Sequence, residues 1–193
     1  MSKKSRRIAI SRNLTPILWA FVALAIFAIA CSPQPKADLA RGASLKLATF
    51  SEHSVEVVVE LQHATDGQVF ISAVFTPILP GFHLYSKDMP RYGISGLGRP
   101  TLLELGENSE IQATGTLIES VGATISTADP SGVLIYPDGP VTLTLPIRLP
   151  DGDDWTEEEI RLTYMACSAT GCKPPVQGEV ITISVPRIGA LSN

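Results

Sequence analysis

The chain has 193 residues, with 15 Lys and Arg against 19 Asp and Glu and a formal charge of −4. That length suits one domain with a substantial core, and the acidic balance excludes the basic face that nucleic acid requires. The charge is also unevenly spread: Lys3, Lys4, Arg6, Arg7 and Arg12 all precede Ala30, in a segment that holds no acidic residue. Without that segment the balance is ten basic against nineteen acidic, a net charge of −9.

The basic start leads into an uncharged apolar run, Leu14 to Ala30, which ends in Ala28-Ile29-Ala30-Cys31. A basic region, an apolar stretch and a small-residue end in that order predict an export signal over residues 1–30. The cysteine at its end resembles the lipobox of bacterial lipoproteins, with Ala28 where such boxes usually carry leucine. That resemblance implies that Cys31 is lipidated and becomes the mature N-terminus. The alternative is an uncleaved membrane anchor, for which a run from Leu14 to Ala30 is at the lower limit of length. Both readings put the rest of the chain outside the cytoplasm, because basic residues stay on the cytoplasmic side. Disulfides persist there.

Residues 31–43, polar and proline-bearing, read as a tether. From there period-two alternation predicts strands at Ser44–Phe50, Ser54–Gln62, Gln68–Phe75 and Phe82–Tyr85, then at Thr101–Leu105, Ile111–Val121, Val141–Leu149, Glu159–Ala166 and Glu179–Val185. Asp66-Gly67, Pro80-Gly81, Asp129-Pro130, Pro137-Asp138-Gly139-Pro140 and Asp151-Gly152 supply turn chemistry between them. Short strands at regular spacing, without a convincing helical period, predict an all-β domain over residues 44–187, an immunoglobulin-like antiparallel β-sandwich, with a short tail at 188–193. The acidic stretch from Asp151 to Glu159 reads as a solvated loop, because the ligand order of a calcium loop is absent.

The chemistry concentrates late in the chain, in Tyr164-Met-Ala-Cys167-Ser-Ala-Thr-Gly-Cys172-Lys173-Pro174-Pro175. A disulfide between Cys167 and Cys172 would close a ring of six residues and contribute about 2 kcal/mol by chain entropy, a poor staple for a domain of this size. A short turn-borne disulfide is better suited to exchange, in which a thiolate attacks a disulfide sulfur and a second cysteine resolves the mixed disulfide. Lys173 is placed to lower the pKa of a neighbouring thiol, although a lysine beside a cysteine is more often an ordinary exposed side chain. Pro174-Pro175 removes two backbone donors, which reads equally as a bare edge for docking and as a turn terminator. On the strand at residues 82–85, alternation puts Phe82 and Leu84 on one face and His83 and Tyr85 on the other.

Tyr164-x-x-Cys167-x4-Cys172-x-Pro174-Pro175 resembles the signature of the N-terminal extracytoplasmic domain of the thiol:disulfide interchange protein DsbD family. Pro80-Gly81-Phe82-His83-Leu84-Tyr85-Ser86, followed by Gly98-Arg99-Pro100-Thr101, is similar to a second motif of that family, and the resemblance spans about residues 44–186. It implies an immunoglobulin-like sandwich whose cysteine pair carries electrons from a thioredoxin-like or membrane-embedded donor to oxidised partners. It further implies that Cys172 exchanges with partners and Cys167 resolves, that His83 and Tyr85 line the redox site with Tyr164 beside it, and that a cap loop covers the cysteines, here Asp129, Pro130, Ser131 and Gly132. That segment has no aromatic residue, as such caps often do. The membrane-spanning and thioredoxin-like segments often fused to this domain do not follow it here, so the expected donor is another polypeptide. The sequence leaves the client open, whether cytochrome maturation, a disulfide isomerase or a peroxide-reducing enzyme.

Two other chemistries find little support. A structural zinc needs four ligands, and His53, His63 and His83 are scattered with no second Cys/His pair, so neither a metal nor another cofactor is expected. No Gly-x-Ser-x-Gly elbow or phosphate-binding glycine loop is present. The remaining alternative is a non-catalytic immunoglobulin-like binding or assembly lipoprotein in which the same disulfide only pins a hairpin.

Overall fold

The structure, a computed structural model, describes residues 39–127 and 132–191. The export signal, Cys31 and most of the tether lie outside these residues, as do Asp129, Pro130 and Ser131 and the last two residues of the tail. Among the described residues no helix is long and apolar enough to cross a membrane.

In chain order the strands are β1 (Ala43–Glu52), β2 (Val55–His63), β3 (Val69–Pro77), β4 (His83–Leu84), β5 (Leu102–Leu105), β6 (Gln112–Ala113), β7 (Ile118–Glu119), β8 (Thr124–Ile125), β9 (Leu134–Ile135), β10 (Val141–Arg148), β11 (Trp155–Tyr164), β12 (Ala166–Ser168), β13 (Gly171–Cys172) and β14 (Val176–Pro186). A 3-10 turn, Ile188–Ala190, follows. One sheet runs β1-β2-β3-β10-β6 with β7 also on β10; a second runs β14-β11-β5; and every pairing is antiparallel.

Alternation builds the core between these two sheets. Val55, Val57, Val59 and Leu61 of β2 point inward, as do Ile71, Ala73 and Phe75 of β3 and Val141, Leu143, Leu145 and Ile147 of β10. They meet Ile160, Leu162 and Tyr164 of β11 and Ile183 and Val185 of β14 in one cluster. Phe75 and Tyr164 touch edge to face across it, ring centroids 5.8 Å apart, the geometry aromatic quadrupoles favour. The architecture is the immunoglobulin-like antiparallel sandwich that the strand spacing predicts.

Four departures from expectation have a visible reason. The stretch 111–121 forms two short pieces because its partner β10 carries Pro146, which has no N–H to donate to the ladder. Only the Pro146 carbonyl takes part, accepting from the Thr114 N–H at 2.9 Å, and the register against β10 shifts by two residues between β6 and β7. The acidic stretch is a loop only to Asp154: β11 already starts at Trp155, and Glu158 is buried with its carboxylate accepting from the Ser109 hydroxyl at 2.6 Å and the Glu110 N–H at 3.1 Å. The fold includes the end of the expected tether, since Leu39 is buried and its carbonyl meets His63 Nδ1 at 3.1 Å. Likewise the start of the tail is anchored, the Ile188 N–H donating to the Pro150 carbonyl and the Gly189 N–H to that of Gly152.

At one end of the sandwich a third, three-stranded sheet runs β13-β12-β4, and β8 and β9 form a hairpin beside it. These small elements carry the site.

Candidate functional site

Just after β11 ends, the chain re-enters a sheet as β12, turns over Ala169 and Thr170, and returns as β13. Ser168 holds the turn: its hydroxyl accepts from the Thr170 N–H at 3.2 Å and donates to the Gly171 carbonyl at 3.2 Å, the local competition with ladder bonding that serine favours. Cys167 and Cys172 are direct cross-strand partners. The adjacent Ala166–Lys173 pair carries a hydrogen bond, the Lys173 N–H donating to the Ala166 carbonyl at 2.9 Å. That leaves the cysteines at the non-hydrogen-bonded position, where side chains approach closest. They are joined by a disulfide with their Cα atoms 4.0 Å apart.

The two sulfurs sit in unequal surroundings. Cys167 is 2% exposed and belongs to a small hydrophobic cluster with Tyr85, Met89, Val133 and Met165, whereas Cys172 is exposed. β13 is the edge of its sheet.

Across β12 from Cys172, residue His83 of β4 pairs with Cys167, so Cys172, Cys167 and His83 form one row over three strands. The expected alternation at residues 82–85 is present. Leu84 enters the main core with Phe82 against it, while Tyr85 faces the cysteines. The Tyr85 hydroxyl lies 3.9 Å from Cys172 Sγ, and since a disulfide sulfur has no proton, the phenol is the donor. The His83 and Tyr85 rings meet edge to face at 5.7 Å. Burial moves their pKa values in opposite directions because it penalises the charged form of each: the His83 imidazolium is destabilised, partly offset by Asp138, and the Tyr85 phenol is raised above its ordinary 10. The cleft over this row encloses about 430 Å³ and is lined by His83, Tyr85, Cys167 and Cys172 together with Gly81, Leu97, Ser126, Val133, Ile135, Ser168 and Ala169.

The motif Gly98-Arg99-Pro100-Thr101 acquires a physical role as the support of Tyr85. Gly98, at φ +77°, lies where a Cβ would stand 3.0 Å from the Tyr85 ring, so both backbone conformation and space favour glycine. Arg99 donates from Nη1 to the carbonyls of Tyr92, Gly96 and Gly98 and fixes the loop that brings Leu97 to the cleft. Buried Thr101 donates to the Tyr85 carbonyl from both its hydroxyl, at 2.7 Å, and its N–H, at 3.2 Å. On the other flank, β9 runs beside the continuation of β4, with Tyr85 bridged to Ile135 and the Ser86 N–H donating to the Leu134 carbonyl.

Several expected site residues stand elsewhere. Tyr164 is fully buried in the main core and donates to the Glu52 carbonyl at 3.1 Å, with its phenol raised by burial. It is a core residue, because the alternation of β11 that turns Ile160 and Leu162 inward turns it inward too. Lys173 alternates away from Cys172, and its ammonium stands 5.7 Å over the Phe82 ring, a cation–π contact on the opposite side of the ladder. Pro174 and Pro175 join β13 to β14 as the chain changes sheets. The Pro174 carbonyl meets His53 Nδ1 at 3.2 Å. Of the expected cap, Gly132 alone is described, at φ +86°; the flanking Ser126 and Val133 line the cleft. Among the described residues no group of three His, Cys, Asp or Glu side chains is placed to hold a metal ion.

The sequence reading missed the second hydrophobic cluster. Met89 and Met165 pack behind Cys167, and the Met89 sulfur also accepts from the Leu134 N–H at 3.3 Å. It missed Tyr136 as well, which accepts from the Lys87 N–H at 3.0 Å and donates to the Glu119 carboxylate at 2.5 Å, tying the loop after β4 to β7. Neither had a local signal, since single methionines and a lone tyrosine in a proline-rich turn look like ordinary filler.

No protein-family model matches the chain, and no curated protein matches it. Among solved structures, it is similar to the crystal structure of the Neisseria meningitidis DsbD N-terminal domain in the reduced form, at 18% identity over 67% of this chain and 84% of that one, with a TM-score of 0.40.

Proposed function

We propose that the protein is an extracytoplasmic thiol:disulfide oxidoreductase that relays electrons through Cys167 and Cys172. One observation carries this reading: a cross-strand disulfide on an edge hairpin, open to a cleft, with one cysteine exposed and the other buried. Exchange is governed by which sulfur is attacked and by access. The exposed Cys172 is the sulfur that forms the mixed disulfide, and the buried Cys167 is the one that resolves it. His83 and Tyr85 complete the site, and partners of thioredoxin-like type exchange with it. A membrane-embedded donor and a lipid on Cys31 belong to the same proposal, supported by the sequence from Met1 to Cys31.

The test is trapping in cells. A Cys167→Ala variant is expected to accumulate mixed disulfides through Cys172, identified by mass spectrometry, and a Cys172→Ala variant to accumulate none. The domain is also expected to equilibrate with a glutathione redox buffer. A blank trap together with a disulfide that resists both glutathione and thioredoxin would overturn the proposal in favour of a structural disulfide.

A further inference from the structure

Of the three histidines, two are engaged in holding the fold. His63 Nδ1 is tied to the Leu39 carbonyl, and His53 to the Pro174 carbonyl on one nitrogen and to Glu52 on the other, at 3.4 Å. His83 is different: neither ring nitrogen has a hydrogen-bond partner among the described residues, and the ring lines the cleft directly across the ladder from Cys167. An imidazole held in place by its backbone and by an edge contact, with both nitrogens uncommitted, is equipped to move a proton.

The neighbouring sulfur needs such a group. Cys167 is 2% exposed, and burial among Met89, Val133 and Met165 disfavours a thiolate there, yet the thiolate is the nucleophile in exchange. Cys172, being exposed, can ionise into water. We infer that His83 is the proton acceptor for Cys167 in the resolving step, an inference that rests on the exchange reading above.

After the Cys172 thiolate has captured a partner disulfide, expelling the partner's first sulfur, neutral His83 takes the proton of the Cys167 thiol. The Cys167 sulfur attacks Cys172 Sγ, the intramolecular disulfide forms, and the bond from Cys172 to the partner breaks. The partner's second sulfur leaves as a thiolate and takes a proton from His83 or from water. Two electrons have passed from the cysteine pair to the partner disulfide.

Among the described residues, the titratable groups facing His83 are Tyr85 on its own segment, Cys167 on β12, Cys172 on β13 and Asp138 after β9. Burial outweighs the carboxylate and keeps the ring below its ordinary 6.5, hence neutral near pH 7, the form that accepts a proton.

The test uses the full chain, reduced and mixed with oxidised glutathione, with acid quench and mass spectrometry reading the glutathione adduct on Cys172 and its conversion to the intramolecular disulfide. In the wild type the resolving rate is expected to rise through a titration below pH 6.5 and then level off. In His83→Gln the ratio of resolving to capture rates is expected to fall about a hundredfold, at the low end of general acid–base contributions, and the plateau to give way to a rise of about tenfold per pH unit as Cys167 ionises unaided. Added imidazole is expected to restore resolution in His83→Ala. A wild-type rate with no acid limb, a variant with the wild-type profile, or a slowing by one constant factor at every pH would each overturn the inference while leaving exchange intact. A wild type that never forms the Cys172 adduct would overturn the exchange reading itself, and this inference with it.

Discussion

The Tyr85 hydroxyl is a hydrogen-bond donor to Cys172 Sγ at 3.9 Å, and the same residue's carbonyl is held twice by Thr101. Because burial keeps this phenol above its ordinary 10, it remains a donor throughout the neutral range. Tyr85→Phe preserves the ring and its packing but removes the donor that would favour the Cys172 thiolate once the disulfide is reduced. Capture of oxidised glutathione at Cys172 near neutral pH is expected to slow by about two- to threefold, because the smaller thiolate fraction is partly offset by its greater nucleophilicity. An unchanged capture rate would reduce Tyr85 to a packing residue.

Stability should record the same environment at His83. Its folded pKa lies below the ordinary 6.5, so between the two values the unfolded chain binds more protons, and stability rises with pH there. The contribution is therefore complete above 6.5 and is lost as pH falls through the folded value. Urea titrations across this window are expected to show a smaller loss on acidification in His83→Gln than in the wild type. Asp138→Asn, which removes the one charge supporting the imidazolium, is expected to move the His83 titration, followed by NMR, to still lower pH.

The loop that carries Leu97 depends on one guanidinium. Arg99→Ala frees the carbonyls of Tyr92, Gly96 and Gly98 together and breaks the bond to Gln177. A loss of about 1 to 2 kcal/mol is expected, with faster proteolytic nicking between residues 92 and 98. Lysine should not restore the wild-type digestion pattern, since a single ammonium cannot reproduce the planar fork.

Tyr164 separates packing from chemistry. Tyr164→Phe leaves the half-buried contact to the Glu52 carbonyl unmade and is expected to cost about 1 kcal/mol, whereas Tyr164→Ala opens a void beside Phe75 and is expected to cost about 3 to 5 kcal/mol. Neither should alter exchange kinetics in the folded protein. A changed exchange rate in the phenylalanine variant would return Tyr164 to the redox site.

The sandwich was legible because a two-residue period is a local property: the buried faces of β2, β3 and β10 can be read one residue at a time. The cysteine hairpin was legible for the same reason, its partners being close neighbours in sequence. Alternation also assigned His83 and Tyr85 to one face, but it could not say that this face meets Cys167, since that pairing joins two distant parts of the chain. Lys173 adjoins Cys172 in sequence, but a strand sends neighbours to opposite sides, and Tyr164, which the resemblance sets beside the site, takes the core position that an aromatic on an alternating strand also suits. The break at Pro146 lay in plain view, but its effect falls on a different strand.

The three-stranded sheet that bears the disulfide contributes Leu84 and Ala166 to the large interior, while its buried cysteine belongs to a separate apolar cluster. The sulfur bridge crosses neither broad sheet, so opening it would leave both of their ladders intact. If the bridge opens and closes as proposed, it does so on a small sheet of its own, outside both broad ladders, much as a hinge pin is drawn without dismantling the door.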